Sequence, residues 1–143
     1  MHEENQNTTE GDWLLWDCRG TGQWPEQWPP VRLRRVDDRH IRFEVMPPAA
    51  AGNALGGLHG AFLAGYAEHV LGLFVVPFDL PLDVVTVSLN FDYPAGGRVD
   101  QLLEGESELV RETGRMQFIR LTLFQNNEPV LIGNGVLRKV PRR

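Results

Sequence analysis

One acidic residue inside a long apolar run is the first feature of this chain that could do chemistry. Residues 60–76 read GAFLAGYAEHVLGLFVV, broken only by Glu68 and His69, and they are preceded by Gly56-Gly57-Leu58-His59-Gly60. A helix apolar on all sides belongs in an interior, where an unpaired carboxylate is costly, so Glu68 needs a reason beyond folding. Burial there is expected to make it a better base. The helix start adds bare N–H groups near His59 and Gly60, which suit a developing oxyanion while Glu68 handles water. At about 100° per residue, Ala61, Ala64, Gly65, Glu68 and Gly72 share one stripe, with Phe62, Tyr66, His69, Val70 and Leu73 opposite. Small residues let a ligand or a neighbouring backbone come close; the plainer alternative is a helix-packing seam around a paired structural glutamate. His69 is turned about 100° from Glu68 and reads as a core or rim histidine.

Spacing sets a further constraint. From Gly60 to Glu68 the helix rises about 12 Å, too far for both to meet one carbonyl. Donor and acid must then come from different copies. Two antiparallel helices about a two-fold axis would bring one N-terminus beside the other helix's glutamate, twice, which predicts an obligate homodimer with two equivalent sites.

The elements that must hold these residues follow from composition and periodicity. With 143 residues, 42% of them hydrophobic, the chain fits one domain with a real core. A formal charge of −5 argues against a nucleic-acid partner despite the cluster Arg138, Lys139, Arg142 and Arg143. A single cysteine, Cys18, excludes an intramolecular disulfide and a thiolate metal cage, and four scattered histidines show no metal-ligand spacing. With no signal peptide or membrane-spanning run in view, a cytoplasmic protein without a membrane partner is expected. Residues 1–12 read as a disordered polar tail. Residues 13–30 hold all four tryptophans, Trp13, Trp16, Trp24 and Trp28, among prolines and glycines, and read as a strap over apolar surface or a lid over substrate.

Residues 31–143 form the expected main domain. VRLRRV and HIRFEV alternate around Asp37-Asp38-Arg39 as a hairpin, and residues 47–58 are a loop that delivers the chain to a helix start near His59. Strands are expected at 83–93, 101–112, 115–125 and 129–140. Pro94-Ala95-Gly96-Gly97, Thr113-Gly114 and Asn126-Asn127-Glu128 punctuate them. One long helix between a hairpin and a meander gives an α+β architecture, an antiparallel sheet whose apolar face covers the helix.

The segment Asn53-Ala54-Leu55-Gly56-Gly57-Leu58-His59-Gly60, followed nine residues after the histidine by Glu68, resembles the hotdog-fold acyl-CoA thioesterases, specifically the phenylacetate-pathway (PaaI-like) branch. The resemblance spans about residues 31–140 and includes Thr86-Val87-Ser88-Leu89-Asn90-Phe91-Asp92-Tyr93-Pro94-Ala95 and Thr113-Gly114-Arg115. It implies a hotdog fold, a curved antiparallel sheet wrapped around one long central helix. It also implies hydrolysis of aryl or short- to medium-chain acyl-CoA thioesters by a homodimer or a dimer of dimers. By the same resemblance Asn53 orients the thioester or the water, and the His59 and Gly60 N–H groups polarise the carbonyl. Glu68 is then the general base or the nucleophile, and Thr86 holds the water. No separate cofactor is implied, since coenzyme A is part of the substrate. Arg115 and Arg111 are candidates for its phosphates.

Two departures stand out: Ala61 occupies a position that is often glycine in the family, and the strand end before Pro94-Ala95 looks shortened. Thioesters lack the resonance stabilisation of amides, so an activated water and backbone donors suffice without a serine or cysteine nucleophile. A hotdog dehydratase or hydratase would pair a catalytic histidine with an acid in motifs that this chain does not show. The rival from another class is a non-catalytic hotdog module that binds an acyl ligand and releases no thiol.

Overall fold

The structure, a computed structural model, describes residues 9, 10 and 12–143. Its strands are β1 (Thr9–Glu10), β2 (Trp13–Trp16), β3 (Val31–Asp37), β4 (His40–Val45), β5 (Leu82–Asp92), β6 (Leu103–Glu112), β7 (Met116–Gln125) and β8 (Glu128–Pro141). They form one antiparallel sheet in the order β1-β2-β3-β4-β6-β7-β8-β5, and α1 (Gly60–Leu71), the one α-helix among the described residues, packs against it.

The turns expected from sequence appear where their chemistry requires. Asp37 accepts from the Arg39 N–H in the β3–β4 hairpin. Asn126 and Asn127 both adopt positive φ, 49° and 62°, the conformation that a two-residue hairpin needs and asparagine tolerates. Ile41, Phe43, Leu103, Ile119, Leu121 and Leu123 on β4, β6 and β7, all essentially inaccessible, share one apolar core with Leu63, Tyr66, Ala67 and Val70 of α1. Gly105 stands across from Phe43 in the β4–β6 register, and a Cβ there would be driven into the Phe43 ring. Gly105→Ala is expected to destabilise the fold by about 2 kcal/mol through overpacking, read as a lower urea midpoint at unchanged slope.

Four expectations need correction. The polar tail is cut short, because Thr9 and Glu10 pair with Leu14 and Trp13 through the backbone; residues 1–8 and 11 lie outside the described residues. Trp13–Trp16 is a strand rather than irregular strap. WLLW hides the period-2 signal because both faces are apolar: Leu14 and Trp16 pair with Leu33 and Val31, whereas Trp13 lies under the Arg32 guanidinium, 4.9 Å from its ring centre. The helix ends at Leu71 rather than residue 76, and 3₁₀ turns follow at Gly72–Phe74 and Val76–Phe78. Gly72 weakens helix continuation, and Pro77 has no N–H to give and disfavours helical backbone at Val76. Finally, Glu68 is exposed in the single chain. The stripe of α1 that carries it is left partly bare by the sheet.

Of the four tryptophans in 13–30, Trp16 and Trp28 pack on the aromatic face of α1, whereas Trp24 is 76% exposed. Trp16 stacks on His69 with ring centres 4.2 Å apart, and Trp28 lies 5.8 Å from the same imidazole and 5.7 Å from Phe62. Burial pushes His69 down to about 4. Between that value and the ordinary 6.5 the unfolded chain binds a proton that the folded chain refuses, so stability falls as pH drops through this window. Cation–π attraction to the indoles offsets part of the penalty, leaving an expected loss of about 1–3 kcal/mol by pH 4. His69→Phe, which retains a stacked ring, is expected to flatten this part of the stability–pH curve in urea titrations at pH 4 to 7.

Candidate active site

The loop ahead of α1 is built around one carboxamide. Asn53 Oδ1 accepts from the N–H groups of Leu55 (2.9 Å) and Gly57 (3.0 Å), and its Nδ2 donates to the Leu58 carbonyl (3.4 Å). Gly56 takes φ +84°, and a Cβ on Gly57 would come within 2.9 Å of the Gly97 carbonyl oxygen, which explains the paired glycines. Asn53 therefore shapes the loop and sets the position of His59. No contact between Asn53 and Glu68 forms within the chain.

His59 is the N-cap of α1. Its Nδ1 accepts from the Ala61 N–H at 3.0 Å, and its own N–H donates to the Ala51 carbonyl at 2.8 Å. The His59 N–H is thus engaged, which narrows the expected His59–Gly60 pair to the Gly60 N–H. That group is the first of the helix and is left without an intrahelical partner. An anion there also meets the positive end of the helix dipole. Tyr93 stands beside it, its hydroxyl 3.3 Å from the Gly60 carbonyl, to which it donates. Sequence reasoning assigned Tyr93 no role, and only its place just before Pro94 at the end of β5 hinted that it would turn back towards the helix.

At the other end of the stripe the Thr86 hydroxyl donates to Glu68 Oε1 at 3.3 Å. The pairing of Thr86 with Leu137 turns its side chain to the helix side of the sheet. With Thr86 at Glu68 and Tyr93 at Gly60, β5 runs antiparallel to α1 and forms one bank of a groove whose floor is Ala61, Ala64, Gly65 and Glu68. Trp28 forms the opposite bank. A Cβ on Gly65 would stand 2.8 Å from its Cη2 and 3.1 Å from its Cζ2, so the depth that this glycine opens is filled from within the chain.

The structure thus brings Glu68 and Thr86 together and keeps Gly60 at the far end of the same helix. Arg111 and Arg115 are exposed at the β6–β7 turn and touch neither Glu68 nor His59. One cleft of about 350 Å³, lined by Leu14, Leu33, Arg34, Arg35 and Phe78 among others, lies under the β2–β3 end of the sheet and contains none of these residues. The groove itself is open along β5, an 11-residue edge strand with Val85 and Val87 48% and 57% exposed. Such an edge is a template for pairing with another strand.

A family model described as the thioesterase superfamily matches residues 55–132, from the loop ahead of α1 to the first half of β8. No curated protein matches the chain. Solved structures of the same fold include a hypothetical thioesterase with coenzyme A from Streptococcus pneumoniae, with 20% identity, TM-score 0.68, and 79% of this chain and 90% of that one covered. Thioesterase superfamily member 2 from Mus musculus aligns with 16% identity and TM-score 0.65 over 80% of this chain and 83% of its own. A Streptococcus mutans protein bound to acetyl-CoA aligns with 15% identity and TM-score 0.67 over 78% and 89%. The shared architecture is the hotdog fold, one long antiparallel sheet with a single helix packed against it.

Proposed function

Because the chain belongs to the thioesterase superfamily, we propose that it hydrolyses acyl-CoA thioesters, with Glu68 activating the water and the Gly60 N–H of a second copy holding the oxyanion. The observation that carries this reading is the Thr86–Glu68 contact at 3.3 Å on the open stripe of α1. A hydroxyl and a carboxylate in contact can hold one water between them. In the reaction Glu68 takes a proton from that water as its oxygen attacks the thioester carbon. The tetrahedral oxyanion collapses, the C–S bond breaks, and the leaving thiolate receives the proton from Glu68.

Coenzyme A and acetyl-CoA in the neighbouring structures support this carrier. Arg111 and Arg115, exposed at one turn, are the side chains proposed to meet its phosphates, and Asn53 supports the loop that presents Gly60. The motif Asn53 to Gly60 favours the PaaI-like branch. Cytoplasmic placement fits both a coenzyme A ester and a lone cysteine.

The spacing along α1 and the open β5 edge support the proposal of a partner copy. Glu68 and Gly60 in one chain are separated by about 12 Å of helical rise. A second copy that pairs its β5 edge with this one about a two-fold axis runs antiparallel, extends the sheet and buries Val85 and Val87. It lays its α1 antiparallel to this one and closes the groove from outside.

The test is free-thiol release by the wild-type protein from acetyl-, butyryl-, octanoyl-, benzoyl- and phenylacetyl-CoA. Turnover with at least one ester is expected. A folded dimer that binds these esters and releases no thiol would overturn the enzymatic reading and leave a binding module.

A further inference from the structure

We propose that Trp28 is the specificity-determining wall of the acyl pocket and limits the acyl group at Glu68 to aryl or short alkyl. The inference rests on the acyl-CoA reading above and deepens it. Gly65 precedes Glu68 by three residues, about 4.5 Å of rise on the same helix face. An acyl chain leaving Glu68 along α1 would run over Gly65, where the missing side chain gives the stripe its depth. The Trp28 ring occupies that depth, as the 2.8 Å approach to a Cβ at 65 shows.

The ring is held against α1 by an aromatic cluster. Phe62, Tyr66 and His69 of α1 flank it with ring centres 5.7, 6.3 and 5.8 Å away. Its backbone is held by the 3₁₀ turn Trp24–Gln27, where the Trp28 N–H donates to the Pro25 carbonyl at 3.0 Å, and by Pro29 and Pro30 after it. On the opposite bank Thr86 and Tyr93 tie β5 to α1. A pocket bounded by these two banks takes a flat ring or a few methylenes, and an indole edge is an apolar, polarisable surface suited to an aryl group.

The experiment measures kcat/KM for acetyl-, butyryl-, octanoyl-, decanoyl-, benzoyl- and phenylacetyl-CoA with wild type, Trp28→Ala and Trp28→Phe, with thermal unfolding of each. Trp28→Phe keeps an aromatic ring against Phe62 and guards against loss of fold. Wild type is expected to favour the short and aryl esters. Trp28→Ala is expected to raise the octanoyl-to-butyryl ratio by about tenfold or more, and Trp28→Phe by a smaller factor in the same direction. Turnover by wild type with the same chain-length profile in a folded variant would overturn the role of Trp28 alone. No thiol release by wild type from any ester would instead overturn the functional reading on which it rests.

Discussion

Glu68→Gln is expected to lower kcat by about 10²–10⁴-fold while leaving the fold intact. The change is nearly isosteric, and the Thr86 hydroxyl, 3.3 Å from Glu68 Oε1, can still donate to the amide oxygen, so the groove keeps its shape. What disappears is the capacity to accept a proton from water. KM is expected to move little, because ground-state contacts with the ester are retained. Glu68 is exposed on the single chain and sits on a helix face that α1 does not need for its own core. Unfolding midpoints of wild type and variant are therefore expected to agree. Full activity in Glu68→Gln would remove this residue from the reaction, whatever else the family membership implies.

Mixing two inactive variants is expected to restore activity. Gly60→Pro removes the one N–H proposed to hold the oxyanion, at the helix position where proline is best tolerated. His59 at φ −68° and ψ 133° already has the extended conformation that a residue before proline prefers. A Cβ at Gly60 would meet only Tyr93, at 3.9 Å. Alone, this variant is expected to lose about 10²-fold in kcat. After unfolding and refolding together with Glu68→Gln, half of the dimers are mixed, and each mixed dimer has one site with an intact Gly60 from one chain and an intact Glu68 from the other. Recovery of about a quarter of the wild-type rate is therefore expected. If both groups served one site from the same chain, every site in the mixture would carry a defect and no activity would return.

The sequence made the regular parts of this fold legible and its long-range meetings opaque. The β3–β4 hairpin, the β6-β7-β8 meander and the start of α1 announced themselves through alternation, turn residues and the glycine-rich loop ahead of His59, all local signals. Trp13–Trp16 escaped because an indole under two guanidinium groups makes its outer face as apolar as its inner one. The end of α1 was hidden by apolar residues that continue past Gly72 even though the backbone does not. Glu68 stood out as the carboxylate in an apolar run, yet its burial was misjudged, because an all-apolar helix says nothing about which neighbour covers each side. Thr86 was reached through resemblance and then found in contact. Trp28 filling Gly65 is a meeting of residues far apart in the chain, and no spacing rule encodes it.

β5 does not pair with the strand that follows it. It crosses to β8, with Leu82 opposite Pro141 and Asp92 opposite Ile132. On the ribosome, Glu68 and Thr86 are both made well before the strand that holds Thr86 in place, whereas the β3–β4 hairpin can close as soon as it emerges. The Thr86–Glu68 contact is thus the last of these features the nascent chain acquires. A ribosome stalled before residue 128 would carry a folded hairpin and a helix, but nothing yet to lay threonine against glutamate.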